Sequence, residues 1–157
     1  MRAEKYIFTK EPVEISVEEI MLLSVEEAMK IDRKGLNAIG AWWLRSPGNY
    51  DFYAALVFGV GLVYNYGDDV RDPYGVRPAL RIGNLESSNL KINDKFDLAG
   101  QTWTVVLNGI ALCDDIVGES AFRGDWDADD ANVYEKSDVK KWLDAWWGKA
   151  LKGGEQA

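Results

Sequence analysis

The sequence predicts an α+β fold in which short, mostly antiparallel strands are flanked by helices and followed by a C-terminal amphipathic helix. Two patterns lead to this prediction. Between residues 41 and 82, short apolar segments are separated by Gly and Pro, as is typical of strands joined by turns. From Ser137 onward, apolar residues recur at helical spacing. With 157 residues, the chain is expected to form a single domain over 1–157.

The first elements are less sharply marked. Residues 6–15 alternate loosely around Pro12, which indicates an edge strand or the end of one. Ser-Val-Glu-Glu occurs at 16–19 and again at 24–27, and each copy has the Ser-x-x-Glu spacing of a helix capping box. We predict a helix over about 24–32. The apolar run 20–23 fits either a helical turn or a short strand.

Strands are predicted through most of the remaining chain. The candidates in the glycine-rich part are 42–45, 54–58, 61–64 and 76–82. The polar segment 84–93 is read as a connector. Residues 96–107 resemble a hairpin with Ala99-Gly100 at its turn, and 110–116 is a further short strand. Within the domain, 6–82 therefore forms one core region, and 94–157 supplies a hairpin and the last helix.

The last helix has the clearest pattern. Ser137 can cap it, and Gly148 is predicted to end it. Its apolar positions fall at i, i+3, i+4, i+7 and i+8, namely Val139, Trp142, Leu143, Trp146 and Trp147. Three tryptophans could form a sugar-stacking platform, but an amphipathic face of this kind more often packs into a core, and we expect core.

Composition narrows the function. The net charge of −8 disfavours nucleic acid and anionic membranes as partners, and no apolar run is long enough to predict membrane insertion. The chain has no histidine and one cysteine, Cys113, so structural zinc and Ser-His or Cys-His nucleophile pairs are not expected. Cys113 is predicted to be a buried, unreactive thiol. We therefore predict no catalytic residues. No signal peptide is recognised, so synthesis in the cytoplasm is expected.

One acidic loop resembles a metal site in part. Asp125, Asp127 and Asp129 have the spacing of the first three ligands of a calcium loop. The sixth position is Asp130 instead of glycine, and the twelfth is Lys136 instead of glutamate. An acidic surface loop is the favoured interpretation, and neither a metal nor a cofactor is predicted. An enzyme using Asp125 and Asp127 remains a weak alternative.

Residues 49–74 have an unusual composition. They contain no Glu, Lys or Gln, and all 3 methionines and all 7 tryptophans of the chain lie elsewhere. The residue types that are present can all be encoded with a pyrimidine in the third codon position, whereas the five missing types cannot. Such a bias indicates a special origin for the segment.

The same segment has the composition of a binding surface. Five tyrosines, Tyr50, Tyr53, Tyr64, Tyr66 and Tyr74, provide large rigid rings, and the Asn and Asp side chains among them provide adaptable hydrogen bonding. The alternative is a set of ordinary turns whose aromatic rings fold inward. We favour the binding surface because so many tyrosine hydroxyls are difficult to satisfy inside a core.

A family resemblance rests on the residues around this segment. The run 42–48 reads Trp-Trp-Leu-Arg-Ser-Pro-Gly, and 75–80 reads Gly-Val-Arg-Pro-Ala-Leu. This frame resembles domains of gut bacteria and their phages that have the C-type-lectin fold, many of which are variable proteins of diversity-generating retroelements. The resemblance covers about 20–82. In those proteins the variable region usually closes the chain, whereas 83–157 follow it here, so a permuted or extended arrangement is open.

The resemblance implies which residues vary. In that family, errors of reverse transcription at template adenines rewrite scattered codons, and the rewritten residues form a ligand-binding surface. The frame residues 42–45 and 75–80 would then be scaffold. The implied variable, ligand-binding positions are Tyr50, Asp51, Phe52, Tyr53, Leu56, Phe58, Val60, Leu62, Tyr64, Asn65, Tyr66, Asp68, Asp69, Arg71, Asp72 and Tyr74.

The function implied by the resemblance is binding without catalysis. The ligand would be a protein or a glycan, with display on a phage particle or a cell surface, and a homo-oligomer is left open. The calcium-dependent sugar site of animal C-type lectins does not carry over, because the only Glu-Pro, at Glu11, is followed by Val13 instead of Asn. The alternative is a C-type-lectin-like structural or carbohydrate-binding module with a fixed sequence.

Overall fold

Eleven strands form two sheets in the part of the chain that a computed structural model describes, namely residues 2–6, 12–31, 39–59, 61–83, 89–125 and 129–156. The six-stranded sheet has, in spatial order, β1 (Arg2–Tyr6), β2 (Pro12–Met21), β7 (Ala79–Ile82), β10 (Ile110–Cys113), β9 (Gln101–Leu107) and β8 (Lys95–Leu98). The five-stranded sheet has β11 (Gly118–Ala121), β6 (Pro73–Val76), β3 (Trp42–Pro47), β4 (Tyr53–Val57) and β5 (Val63–Asp69).

Helices flank these sheets, so the predicted α+β class is confirmed. α1 spans Val25–Met29, a 3₁₀ turn spans Tyr134–Lys136, and α2 spans Asp138–Gln156. Every described strand pair is antiparallel except β3 with β6. Both sheets combine strands from before and after the connector, because β7 pairs with β10 and β6 pairs with β11. The two halves of the sequence therefore build shared sheets. Among the described residues, none of the helices combines the length and the apolar composition needed to span a lipid bilayer.

Alternation along β3 places its two tryptophans on opposite faces of the five-stranded sheet. Trp42 lies with Leu44 in a buried cluster that also contains Ala79 and Leu112 from the six-stranded sheet. Trp43 lies in a second cluster, on the face covered by α2 and the 3₁₀ turn. Both indole rings are fully buried. The Trp-Trp pair thus joins β3 to a different layer on each side.

The two Ser-Val-Glu-Glu copies have different structures. The capping box at 24–27 is confirmed, because the Ser24 hydroxyl accepts from the Glu27 amide and the Glu27 carboxylate accepts from the Ser24 amide. The helix is shorter than predicted and ends at Met29, and residue 32 lies outside the described residues. The copy at 16–19 forms part of β2, where pairing with β7 overrides the local capping pattern.

The predicted strand 76–82 is wrong as one element. The chain forms β6, passes through Arg77 and Pro78, and enters β7 in the other sheet. Pro78 cannot donate a ladder hydrogen bond, and it restricts the residue before it. The break lets one stretch of sequence join two sheets. The strand predicted at 61–64 begins at Val63 and continues to Asp69, and the strand predicted at 110–116 ends at Cys113. Strand β11 was not predicted.

Other boundaries were partly correct. The hairpin of β8 and β9 is confirmed, with positive φ at Ala99 and Gly100 as its turn requires. Pro12 is the first residue of β2, so the predicted placement at the end of a strand is confirmed, whereas β2 itself lies between β1 and β7 and is not an edge strand. Of the predicted connector, residues 84–88 lie outside the described residues.

The last helix is capped as predicted but does not end at Gly148. The Ser137 hydroxyl accepts from the Lys140 amide at 3.0 Å, whereas α2 continues to Gln156. A glycine inside a helix costs about 1 kcal/mol relative to alanine, and packing can offset that cost. Ala150 and Leu151, beyond the glycine, pack against the core of the six-stranded sheet. The predicted core face is largely confirmed, because Val139, Leu143 and Trp147 are buried and Trp142 and Trp146 are half-buried.

Candidate ligand-binding surface

Six aromatic rings form one continuous group on β4, β5 and the turns beside them. We call this group the aromatic cluster; its members are Tyr50, Phe52, Tyr53, Phe58, Tyr64 and Tyr66. Neighbouring ring centroids lie between 4.9 and 6.0 Å apart. Most of these pairs meet edge to face, which suits the charge distribution of aromatic rings. Four of the five predicted tyrosines are therefore brought together, and the fifth, Tyr74, lies outside the cluster against Trp43.

The aromatic cluster is open to solvent at its centre. Tyr50 is 49% exposed and Tyr66 is 37% exposed, and the other four side chains are half-buried. The Tyr66 hydroxyl donates to the Tyr50 hydroxyl at 3.2 Å. This hydrogen bond raises the pKa of Tyr66 to about 12, so the phenol is neutral near pH 7. The cluster offers a partner both ring surface and neutral hydroxyl groups.

Backbone contacts hold the 48–53 turn against β5. The Asn49 amide donates to the Tyr66 carbonyl at 2.7 Å, and the Gly48 amide donates to the Tyr53 carbonyl at 2.8 Å. The approach is close enough that a Cβ at Gly48 would lie 2.5 Å from the Tyr66 carbonyl oxygen. The glycine of the Ser-Pro-Gly frame therefore lets the turn carry Tyr50 up to Tyr66.

Asn132 also holds this turn, a role that no sequence pattern predicted. Its side-chain amide donates to the carbonyls of Tyr50 at 3.0 Å and Tyr53 at 3.1 Å. The residue lies 82 positions from Tyr50 in the sequence, in the loop before the 3₁₀ turn. A single Asn in a polar loop carries no pattern that would predict such a contact.

Leu56 is a correction to the predicted ligand-binding positions. Its side chain is fully buried in the cluster that contains Trp43 and Ala54. Phe58 and Tyr64 pack against that same cluster from the partly exposed side. Leu56 thus supports the aromatic cluster from below and cannot contact a ligand at the surface.

An acidic corner adjoins the aromatic cluster at the end of β5. It consists of Asp68, Asp69 and Asp72, together with Arg71 and Tyr74. Asp69 pairs with Arg71 at 2.7 Å, and the hydrogen bond from that guanidinium lowers the pKa of Asp69. The pKa of Asp72 is raised by partial burial and by the charges of Asp68 and Asp69. The corner therefore carries more negative than positive charge.

Tyr74 joins the acidic corner to the core. Its hydroxyl donates to the Asp68 carboxylate, and its ring meets the buried Trp43 edge to face at 4.9 Å. Burial, followed by this hydrogen bond, raises the pKa of Tyr74. The Trp43 indole in turn donates to the Ser120 carbonyl at 2.9 Å. Trp43 therefore ties the acidic corner to β11 across the sheet.

The remaining predicted positions divide into three groups. Asp51, Leu62 and Asn65 are exposed on the turns and strand that carry the aromatic cluster. Asp68, Asp69, Arg71, Asp72 and Tyr74 lie at the acidic corner. Val60 lies outside the described residues. By contrast, the frame is buried at Trp42, Trp43 and Leu44 and throughout the run 75–80, whereas Arg45 is half-buried.

The two frame arginines, Arg45 and Arg77, have structural partners. Arg77 is only 2% exposed, lies over the Trp42 ring at 5.1 Å and donates to the Cys113 carbonyl at 2.7 Å. Arg45 donates to the Leu22 carbonyl at 2.7 Å and pairs with Glu27 at 2.6 Å. Cys113 is fully buried, as predicted, and burial raises the pKa of its thiol to about 11.

The acidic loop can be followed only in part, because 126–128, including Asp127, lie outside the described residues. Asp130 pairs with Arg123 at 2.9 Å and Lys136 at 3.2 Å. Among the described side chains, no group of three or more Cys, Asp or Glu is placed to hold a metal ion.

Comparisons with known proteins give no relative. No protein-family model, no curated protein and no solved structure matches this chain.

Proposed function

We propose that this chain is a non-enzymatic binding protein whose aromatic cluster forms the centre of a surface for a protein or glycan ligand. The continuous, partly exposed group of six rings carries the proposal. Aromatic side chains supply much of the binding energy at protein interfaces, and tyrosine does so at low cost in conformational entropy. A protein without a partner seldom leaves such a group open to water.

We further propose that the scaffold is C-type-lectin-like and that a retroelement diversifies its surface. The contrast between the frame and the inserted residues supports this. The frame runs 42–44 and 75–80 are buried, whereas most positions proposed to vary are exposed or half-buried. Exposed side chains can be exchanged with little effect on stability, whereas buried ones cannot. A surface of this kind tolerates repeated rewriting of its codons.

A binding experiment tests the first part. The labelled protein is applied to an array of oligosaccharides and to a displayed library of random peptides, and each interaction found is repeated with Tyr66→Ala. We expect the dissociation constant to rise about thirtyfold if Tyr66 is a central anchor. Ile92→Ala is the matched control, because Ile92 is 55% exposed but precedes β8 in the other sheet. Equal losses in both variants would contradict a binding surface at the aromatic cluster.

The coding DNA tests the second part. We expect codons at the variable positions to end in a pyrimidine, and a near-copy of the segment with Asn codons to lie close to a reverse transcriptase gene. Among diversified copies, Tyr64 and Tyr66 should vary, whereas position 56 should stay apolar because Leu56 is buried. Codons ending freely in A or G between 49 and 74 would instead favour the fixed-sequence C-type-lectin-like module.

A further inference from the structure

We propose that the aromatic cluster and the acidic corner together bind an extended segment of a partner protein that carries Lys or Arg side chains. This inference rests on the proposed function and adds the chemical class of its ligand. The arrangement that carries it is the cross-strand pairing that places carboxylate residues of β5 opposite the ring-bearing end of β4.

The register of β4 and β5 makes the two groups neighbours. Tyr53 pairs with Asp69 and Ala54 pairs with Asp68. Two residues of the acidic corner therefore lie on β5 directly across from the start of β4, where Tyr53 belongs to the aromatic cluster. Directly opposed residues in an antiparallel pair have Cβ atoms about 5 Å apart. Asp51 adds an exposed carboxylate between Tyr50 and Phe52. A cation docked on Tyr53 therefore lies within the Debye length of the Asp69 carboxylate at physiological ionic strength.

The balance of charge favours a cationic ligand. The segment 49–74 contains four Asp and one Arg, and that Arg71 is held in an ion pair with Asp69. Burial, together with the charges of Asp68 and Asp69, raises the pKa of Asp72. The whole chain has a net charge of −8. Acidic proteins, phosphates and anionic sugars would all be repelled.

The rings favour the same class of ligand. The face of an aromatic ring attracts a cation, and each contact contributes about 0.5–1 kcal/mol at exposed sites. Tyr50 and Tyr66 are the most exposed members of the aromatic cluster. Because strand side chains alternate, an extended segment with Lys or Arg at every second position could present its cations to these rings and to the acidic corner together. A neutral glycan could stack on the rings but would make no use of the carboxylates.

The test compares defined probes on the intact protein. Three capped hexapeptides alternate Gly with Lys, with Glu or with Ser, and cellohexaose represents a neutral glycan. Binding is followed by shifts of the backbone amide resonances of 50–53 and 64–72. We expect the Lys peptide to bind with a dissociation constant of about 1 mM or lower and to weaken as NaCl is added. The Glu peptide should cause no shift.

Variants that each remove one negative charge distinguish binding of the Lys peptide at this site from its general attraction to an acidic protein. Asp51→Asn and Asp72→Asn should each weaken the Lys peptide about two- to fivefold, as expected for an exposed ion pair. Glu119→Gln is the matched control, since it removes the same charge from exposed Glu119 on β11, at the opposite edge of the sheet. The proposal is overturned if all three variants behave alike, or if the Lys peptide causes no more shift than the Ser peptide.

The two proposals can fail separately. If Tyr66→Ala weakens the Ser peptide or cellohexaose while the Lys peptide is not preferred, the binding surface stands and its cationic preference is wrong. If Tyr66→Ala changes the binding of none of the probes, both proposals are wrong.

Discussion

Replacing Gly67 with alanine is the sharpest test of how β5 carries its aromatic side chains. Gly67 has a φ of +91°, and a Cβ at this position would lie 2.7 Å from the Ala54 carbonyl oxygen. A left-handed backbone costs an ordinary residue about 1–2 kcal/mol. Forcing the neighbouring backbone of β4 aside costs about 1–3 kcal/mol more. We therefore expect Gly67→Ala to lower the free energy of unfolding by about 2–5 kcal/mol.

Gly100→Ala is the matched control. Gly100 has a similar φ of +77° at the turn between β8 and β9, but no atom lies within 4 Å of the position its Cβ would take. For Gly100→Ala, the free energy of unfolding should decrease only by the cost of the left-handed backbone, about 1–2 kcal/mol. Any entropy that alanine removes from the unfolded chain is shared by both variants and cancels in the comparison.

Urea denaturation followed by tryptophan fluorescence measures both variants, with the slope checked for a change in the unfolded state. The difference between the two losses isolates the contact between Gly67 and Ala54. Equal losses, within about 0.5 kcal/mol, would refute the close approach of β4 and β5 at this point.

Three further predictions follow from burial and charge. Trp43→Ala should lower the free energy of unfolding by about 3–5 kcal/mol and Tyr66→Ala by only about 1 kcal/mol, as urea midpoints would show; similar losses would mean that Tyr66 is a core residue. Burial raises the pKa of Glu27, but hydrogen bonds from Arg45 and the Ser24 amide outweigh it and leave the pKa below its ordinary value of 4.5. The carboxylate therefore stabilises the fold above about pH 4.5. As the pH falls further, the free energy of unfolding, measured by urea titration at each pH, should decrease more for the wild type than for Glu27→Gln. Parallel plots of unfolding free energy against pH would contradict this. Cys113 should react with a thiol reagent at pH 8 only as fast as the protein unfolds, and a fast reaction in the native state would contradict its burial.

Prediction from sequence succeeded for elements that are stabilised by residues close together in the chain. The Ser24–Glu27 capping box and the hairpin at Ala99-Gly100 involve residues within a few positions of each other, so their geometry is encoded in the pattern itself. The same capping pattern failed at 16–19, because pairing with β7, more than sixty residues away, is stronger than one capping interaction. Gly148 failed as a helix end for a similar reason, since packing of Leu151 offsets its local cost.

The amino-acid sequence was sufficient to predict the α+β class, and it contains the Tyr- and Asp-rich composition of 49–74 and the division between apolar frame and polar insert. These depend on residue type and spacing alone. Three features became known from the folded chain: Leu56 lies beneath the rings, Asn132 holds their turn, and Asp69 stands opposite Tyr53. Each of these depends on strand register or on contacts between distant segments. A shift of one residue in register would turn every side chain of a strand to its other face, and composition carries no information about that choice.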